Sequence, residues 1–193
     1  MRKLLASAAL VAFATGALAE GSGVPDTDGP NLTLEIAGAT SGKVVIDLLP
    51  DVAPKHVERI VELAKSGAYD DVVFHRVIDG FMAQTGDVQF GKRGGNVQMA
   101  GMGGSDMPDL PAEFSNRSFE RGMVGMARSA DPNSANSQFF IMFEPAPHLN
   151  GQYTIVGHVI EGLEVVDQIK KGSAARNGIV DEPDYIAAAS VEE

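Results

Sequence analysis

The chain has no cysteine and no tryptophan, and only 6% of its 193 residues are aromatic. Without cysteine there is no disulfide framework, no thiolate-held zinc or iron–sulfur cluster and no cysteine nucleophile. Basic residues are also scarce. Fifteen Lys and Arg against 26 Asp and Glu give a net charge of −11, which argues against a nucleic-acid partner. The four histidines (His56, His75, His148, His158) show no metal-ligand spacing, and there is no G-x-S-x-G of a serine hydrolase. Gly101-Met102-Gly103-Gly104 lacks the Lys-Ser/Thr that completes a phosphate loop, so it reads as a flexible rim. No cofactor and no metal are expected. What is present is a 44% hydrophobic fraction, sufficient for a core, in a length that fits one domain better than two.

Residues Met1–Ala19 read as a cleavable signal peptide. Arg2 and Lys3 give the positive start, Leu4–Ala14 the apolar stretch and Ala17-Leu18-Ala19 the A-x-A cleavage site. The stretch is too short, and too interrupted by Ser7, Thr15 and Gly16, to serve as a membrane anchor. The expectation is therefore a periplasmic protein, free of the membrane once cleaved; the lack of cysteine is compatible with that compartment.

Residues 20–30 are mostly Gly, Ser, Pro and Asp with one aliphatic residue and read as a disordered lead-in. The folded domain is expected over 31–188, with 189–193 as a tail. Within it, alternation and apolar runs predict strands at Leu32–Ile36, Val44–Leu49, Val72–Ile78, Phe81–Thr85, Met123–Ala127, Gln138–Phe143, Tyr153–Ile160 and Tyr185–Ala188. Pro54 opens a helix with Val57, Ile60, Val61 and Ala64 on one face and Gly67 as its stop; a second helix fits Leu163–Lys171. Eight strands with two short helices predict an all-β fold, a closed antiparallel barrel rather than a parallel α/β sheet. The Gly- and Met-containing stretch from Val88 to Pro111 fits no regular element.

Two runs carry chemistry. In Gln138–Phe143 one strand face holds Phe139, Ile141 and Phe143, and the other Gln138, Phe140 and Met142. A barrel wall needs only one apolar face, so the second set is either covered by a helix or forms a binding surface. In Phe74–Asp87, Arg76 shares a face with Phe74 and Ile78, and Met82 shares one with Gln84 beyond the Asp79-Gly80 turn. Spacing alone leaves two accounts of Arg76. Its stem lies along the barrel with the head in water, or it is a rigid guanidinium over an apolar pocket with Gln84 orienting it.

Three segments in order resemble one family. Phe74-His75-Arg76-Val77-Ile78-x-Gly80-Phe81-Met82-x-Gln84-x-Gly86-Asp87, then Gly122-x-Val124-x-Met126-Ala127, then Ser137-Gln138-Phe139-Phe140-Ile141 are similar to cyclophilins, over about Leu32 to Ile186. The resemblance implies an eight-stranded barrel capped by two helices, and peptidyl-prolyl cis–trans isomerase activity. By position it implies Arg76 as the catalytic arginine with Gln84 in support, a proline pocket of Phe81, Met82, Phe140 and Leu149, and a neighbouring groove with Ala127 and Gln138. Three positions depart from the best-known members. Arg128 stands where they have Asn, in a loop one residue longer, and is expected to act through its backbone; His148 replaces a Trp of eukaryotic members; Tyr153 replaces a pocket His. All three are carried as substrate-binding positions.

The function expected is an exported, monomeric isomerase accelerating rotation about X–Pro bonds in unfolded or loop segments of exported proteins. The competing expectation is a non-catalytic proline-peptide binding module or holdase that keeps the groove without turnover.

Overall fold

The computed structural model describes residues 21–193; the expected signal peptide lies outside the described residues. The described residues form one antiparallel sheet of nine strands: β1 (Asn31–Ala37), β2 (Gly42–Leu48), β3 (Val72–Val73), β4 (Arg76–Ile78), β5 (Met82–Thr85), β6 (Met123–Met126), β7 (Phe139–Met142), β8 (Ile155–Glu161) and β9 (Tyr185–Glu192). Their spatial order is β3-β9-β1-β2-β8-β6-β7-β5-β4. Two helices accompany the sheet, α1 (Pro54–Lys65) and α2 (Leu163–Gln168).

The all-β class and the two helices are as expected, but the closed eight-stranded barrel is not. The sheet is a curled one whose end strands, β3 and β4, do not pair with each other. The extra strand comes from the expected run Val72–Ile78, which divides at Phe74 and His75. There the backbone turns its hydrogen bonds to the C-terminal chain: Phe74 N–H donates to Asp184 O at 2.8 Å, and Val77 N–H to Gly178 O at 2.8 Å. These partners lie about a hundred residues away, where no local pattern could announce them.

Helix α1 starts on Pro54, whose missing N–H suits the first turn, and buries Val57, Ile60, Leu63 and Ala64. Its N-cap, Ala53, has no side-chain acceptor. Glu113 takes over from a distant loop, accepting from Lys55 N–H at 3.2 Å and His56 N–H at 3.1 Å. Helix α2 ends three residues short of Lys171, because Lys170 N–H donates to the Asp184 carboxylate at 2.9 Å instead of continuing the helix. Strand β9 runs beyond the expected Ala188 to Glu192, paired with β1 as far as Asn31.

Residues 21–30, given as a disordered lead-in by composition, run along the sheet in the structure. Ser22 N–H donates to Val159 O at 2.8 Å, and Thr27 donates twice to the fully buried Asp47 carboxylate, from N–H at 3.1 Å and from Oγ1 at 2.9 Å.

Hydrophobic residues are buried on both sides of the sheet. Inside the curl, Leu34, Ile46, Phe74, Phe139, Ile141 and Val156 pack with α1 and α2. On the other side, Met82, Met123, Phe140 and Met142 pack under Leu49, Phe119, Ala146 and Leu149. The second apolar face of β7 is thus covered by loop residues and the short 3-10 turn Pro147–Leu149, not by a helix.

Candidate functional site

Strands β4 and β5 are joined by a tight turn whose Gly80 has φ +68°, a conformation that suits glycine. Their register sets Arg76 directly opposite Gln84, and the next register sets Gln84 opposite Phe140 on β7. Opposed residues share a face, so a cation, an amide and an aromatic ring stand side by side. Arg76 Nη1 donates to Gln84 Oε1 at 3.2 Å and lies 3.9 Å from Met82 Sδ. On its other edge Nε donates to Asn177 O at 3.0 Å and Nη2 to Asn177 Oδ1 at 3.0 Å. The guanidinium plane is clamped from both sides.

The clamp continues away from Arg76. Gln84 Nε2 donates to Gln138 Oε1 at 3.0 Å, and Gln138 Nε2 donates to Gly103 O at 2.8 Å. Every amide in this chain is oriented by the next, and the last acceptor is a loop carbonyl. That loop is fixed by a buried carboxylate: Asp87 Oδ2 accepts from Gly101 N–H at 2.7 Å and Gly103 N–H at 2.9 Å, while Oδ1 accepts from Gln89 N–H at 3.1 Å and Phe90 N–H at 2.8 Å. Asn136 Oδ1 holds Ser105 N–H at 2.7 Å. The Gly101–Gly104 segment, expected as a flexible rim, is a pinned wall.

In front of Arg76 lies a cavity of about 180 Å³ lined by Arg76, Phe81, Met82, Gln84, Ala127, Arg128, Phe140, Leu149 and Tyr153. Its floor is tightly packed. Phe140 stacks on Phe119 with ring centres 5.7 Å apart, and Tyr153 meets Phe140 edge-on at 5.9 Å. Gly125 makes the stack possible, since a Cβ there would come within 2.6 Å of both Phe119 and Phe140. Arg128 lies with its guanidinium carbon 4.3 Å from the Tyr153 ring centre. A second, larger cavity of about 570 Å³ adjoins the first, sharing Gln84, Ala127 and Arg128 and continuing over Gly101–Ser105 to Asn136 and Gln138.

Burial lowers the pKa of the Arg76 guanidinium, with the nearby Tyr153 phenol acting in the opposite sense. From so high an ordinary value the group stays protonated in water at any working pH. The adjacent His75 is a different case. Burial pushes it down to about 4, against the pull of Asp87, so it is neutral near pH 7.

Nine of the eleven sequence-derived site residues line the small cavity. Gln138 lies in the second cavity and reaches the first only through Gln84. His148 is exposed and stands beyond Phe81, ring centres 5.7 Å apart, outside the cavity lining. Sequence reasoning missed Asn177, Asp87 and Gly125. For Asn177 the Asn-Gly dipeptide did signal a left-handed turn, and φ is +54° there. Nothing local said that its side chain meets Arg76.

Comparison with known proteins agrees with this geometry. Residues 32–191 match the family model described as cyclophilin type peptidyl-prolyl cis-trans isomerase/CLD. The chain belongs to the cyclophilins. A probable peptidyl-prolyl cis-trans isomerase of Brucella suis is 54% identical over the whole of this chain and 96% of its own length. Human peptidyl-prolyl cis-trans isomerase-like 3 is 39% identical over 130 residues, 67% of this chain and 77% of its own. Among solved structures, a Cryptosporidium parvum cyclophilin determined in the presence of the dipeptide Ala-Pro superposes with a TM-score of 0.70 at 25% identity, covering 84% of this chain and 99% of that one. The cyclophilin AquaCyp293 of Hirschia baltica gives 0.68 at 26% identity, over 83% and 73%. This cyclophilin is accordingly a peptidyl-prolyl cis-trans isomerase.

Proposed function

We propose that this cyclophilin isomerises X–Pro bonds of exported polypeptides in the periplasm, acting as a monomer, with the proline ring in the 180 Å³ cavity and Arg76 as the catalytic residue. The observation that carries the reading is the clamped guanidinium bordering a cavity of the size of one side chain, with Phe81, Met82, Phe140 and Leu149 in its lining. The Ala-Pro dipeptide in the related Cryptosporidium structure supports an X–Pro segment as the occupant. The Arg2-Lys3 start and the Ala17-Leu18-Ala19 site support export.

Rotation about the X–Pro bond breaks amide resonance, a barrier of about 20 kcal/mol, and forms no bond to the protein. In the twisted transition state the prolyl nitrogen becomes pyramidal and carries a lone pair absent from the planar amide. An Arg76 N–H directed at that nitrogen binds the twisted state better than either planar one, and only such differential binding speeds the step. Phe81, Met82, Phe140 and Leu149 hold the ring while the preceding carbonyl turns. Asn177 and Gln84 keep the donor still, so the reorganisation falls on the substrate.

The test is a protease-coupled assay on an Ala-Pro peptide with Arg76→Ala. Loss of one preorganised donor is expected to lower turnover about a hundredfold, with KM and Tm little changed. Near-normal turnover by the folded variant would overturn the role. Export is tested by N-terminal sequencing of the mature protein, expected to start at Glu20; retained Met1 would overturn it.

A further inference from the structure

Two arginines border the groove of an acidic protein, and among the described residues neither has a carboxylate within 4 Å. Lys43, Lys65, Arg93, Arg121, Lys170 and Arg176 each stand within 4 Å of an Asp or Glu. Arg76 is held by Asn177 and Gln84, and Arg128 by backbone carbonyls alone. Arg128 Nε and Nη2 donate to Gln152 O at 3.3 and 2.8 Å, and Nη1 donates to Ser129 O at 2.8 Å. With the Tyr153 ring beneath it, the Arg128 guanidinium is fixed in its plane. Of its five N–H groups, these bonds use three. Two remain open to an acceptor from outside. Nearby acids are otherwise engaged: Asp109, across the larger cavity, accepts from Asn136 Nδ2 at 2.9 Å, and Asp131 accepts from Asn133 N–H at 2.9 Å.

Arg128 lines both cavities and so stands on the ridge between them. A prolyl nitrogen addressed by Arg76 faces the side of the small cavity where Gln84 lies, and Gln84 also lines both cavities. The residue bonded to that nitrogen, the one before proline, therefore leaves across the ridge formed by Ala127 and Arg128. We propose that Arg128 reads the charge of the residue immediately preceding proline, making Glu-Pro and Asp-Pro bonds the preferred substrates. This rests on the isomerase reading of the small cavity. It gives the Arg128 side chain a task beyond the backbone role that the family resemblance implied.

The experiment measures kcat/KM for Ala-X-Pro-Phe peptides with X as Glu, Gln or Lys, in the native protein, Arg128→Gln and Arg128→Glu. The native order is expected to be Glu, then Gln, then Lys. The Glu/Gln ratio, divided by the same ratio in Arg128→Gln, should be about 1.5- to fivefold, the range for a solvent-accessible ion pair. Taking a ratio of ratios cancels the uniform repulsion of anionic peptides by the whole chain. Arg128→Glu should invert the order in favour of Lys. Equal ratios in all three proteins, or a native preference for Lys, would overturn the proposal. Failure of the isomerase reading is distinguishable, because no peptide would then be turned over. Dissociation constants from NMR titration with the same peptides still decide the charge preference in that event, expected to follow the same order and refuting it if they do not.

Discussion

Replacing Asn177 by glycine isolates one side of the clamp on Arg76. Asn177 sits in a left-handed conformation, φ +54° and ψ +38°, at the end of a short 3-10 turn. Alanine there would add a backbone cost of about 1 kcal/mol unrelated to Arg76, whereas glycine adopts the conformation freely. Asn177→Gly keeps the carbonyl that accepts from Arg76 Nε and deletes only the Oδ1 that accepts from Nη2 at 3.0 Å. A hydrogen bond to a charged group is worth about 1.5–3 kcal/mol, and Asn177 is exposed, so water replaces a share of it. The net loss of orientation should be about 1 kcal/mol, equivalent to roughly a fivefold fall in kcat/KM. Because Asn177 lies outside the lining of the small cavity, the fall should appear in kcat with KM nearly constant. Tm should stay within about 2 °C of the native value, since no buried group loses a partner. The assay is the protease-coupled progress curve at several peptide concentrations, with a thermal melt on the same sample. An unchanged kcat would refute the view that Asn177 positions the guanidinium. A fall in kcat matched by a large drop in Tm would show a merely structural role.

Other outcomes follow from the same geometry. Asp87→Asn leaves one oxygen to serve four backbone N–H groups, so faster amide exchange at Gly101 and Gly103, or at Gln89 and Phe90, is expected together with a loss of about 2 kcal/mol of stability; unchanged exchange would count against the pinned wall. Glu113→Ala removes the acceptor for the first turn of α1 and for the buried His56 ring, 2.6 Å away, and should cost about 3 kcal/mol, read as a fall in Tm of about 8 °C. His75 has its folded pKa depressed to about 4 from 6.5, so the unfolded chain binds the extra proton between those values. Stability is therefore full above pH 6.5 and declines as pH falls towards 4, by about 2 kcal/mol at pH 5. Melting curves at pH 7 and 5 check this, and His75→Phe, which cannot titrate, should reduce the difference.

Alternation at Leu32–Ile36 and apolar runs elsewhere located the strands, with β3 and β4 as one undivided run, because most strands bury both faces; the α1 pattern with Pro54 and Gly67 located the helix. What escaped was set by partners far along the chain. The break in Val72–Ile78 follows from Asp184 and Gly178, and the order of residues 21–30 from the buried Asp47. Composition speaks for how much apolar surface a segment can bury, and Thr27 is held by a carboxylate instead. At the site, Gln84 was offered by spacing as the residue that orients Arg76, and the three-residue connection Asp79–Phe81 sets the two directly opposite. The family motif added Phe140, Leu149 and Tyr153, which no local pattern would have joined. Asn177 belonged to neither route, being about a hundred residues from Arg76 and outside the quoted motifs.

Strand β7 is a wall shared by two interiors, with Phe139 and Ile141 in one and Phe140 and Met142 in the other. Opening the floor of the small cavity by moving the backbone of Phe140 would displace the same strand that carries the central core. Opening of this strand should carry a free energy near that of unfolding the whole domain. The amide of Phe140 should accordingly exchange with solvent as slowly as the slowest amides in the molecule. Selection for stability and selection for catalysis act on this strand as one pressure.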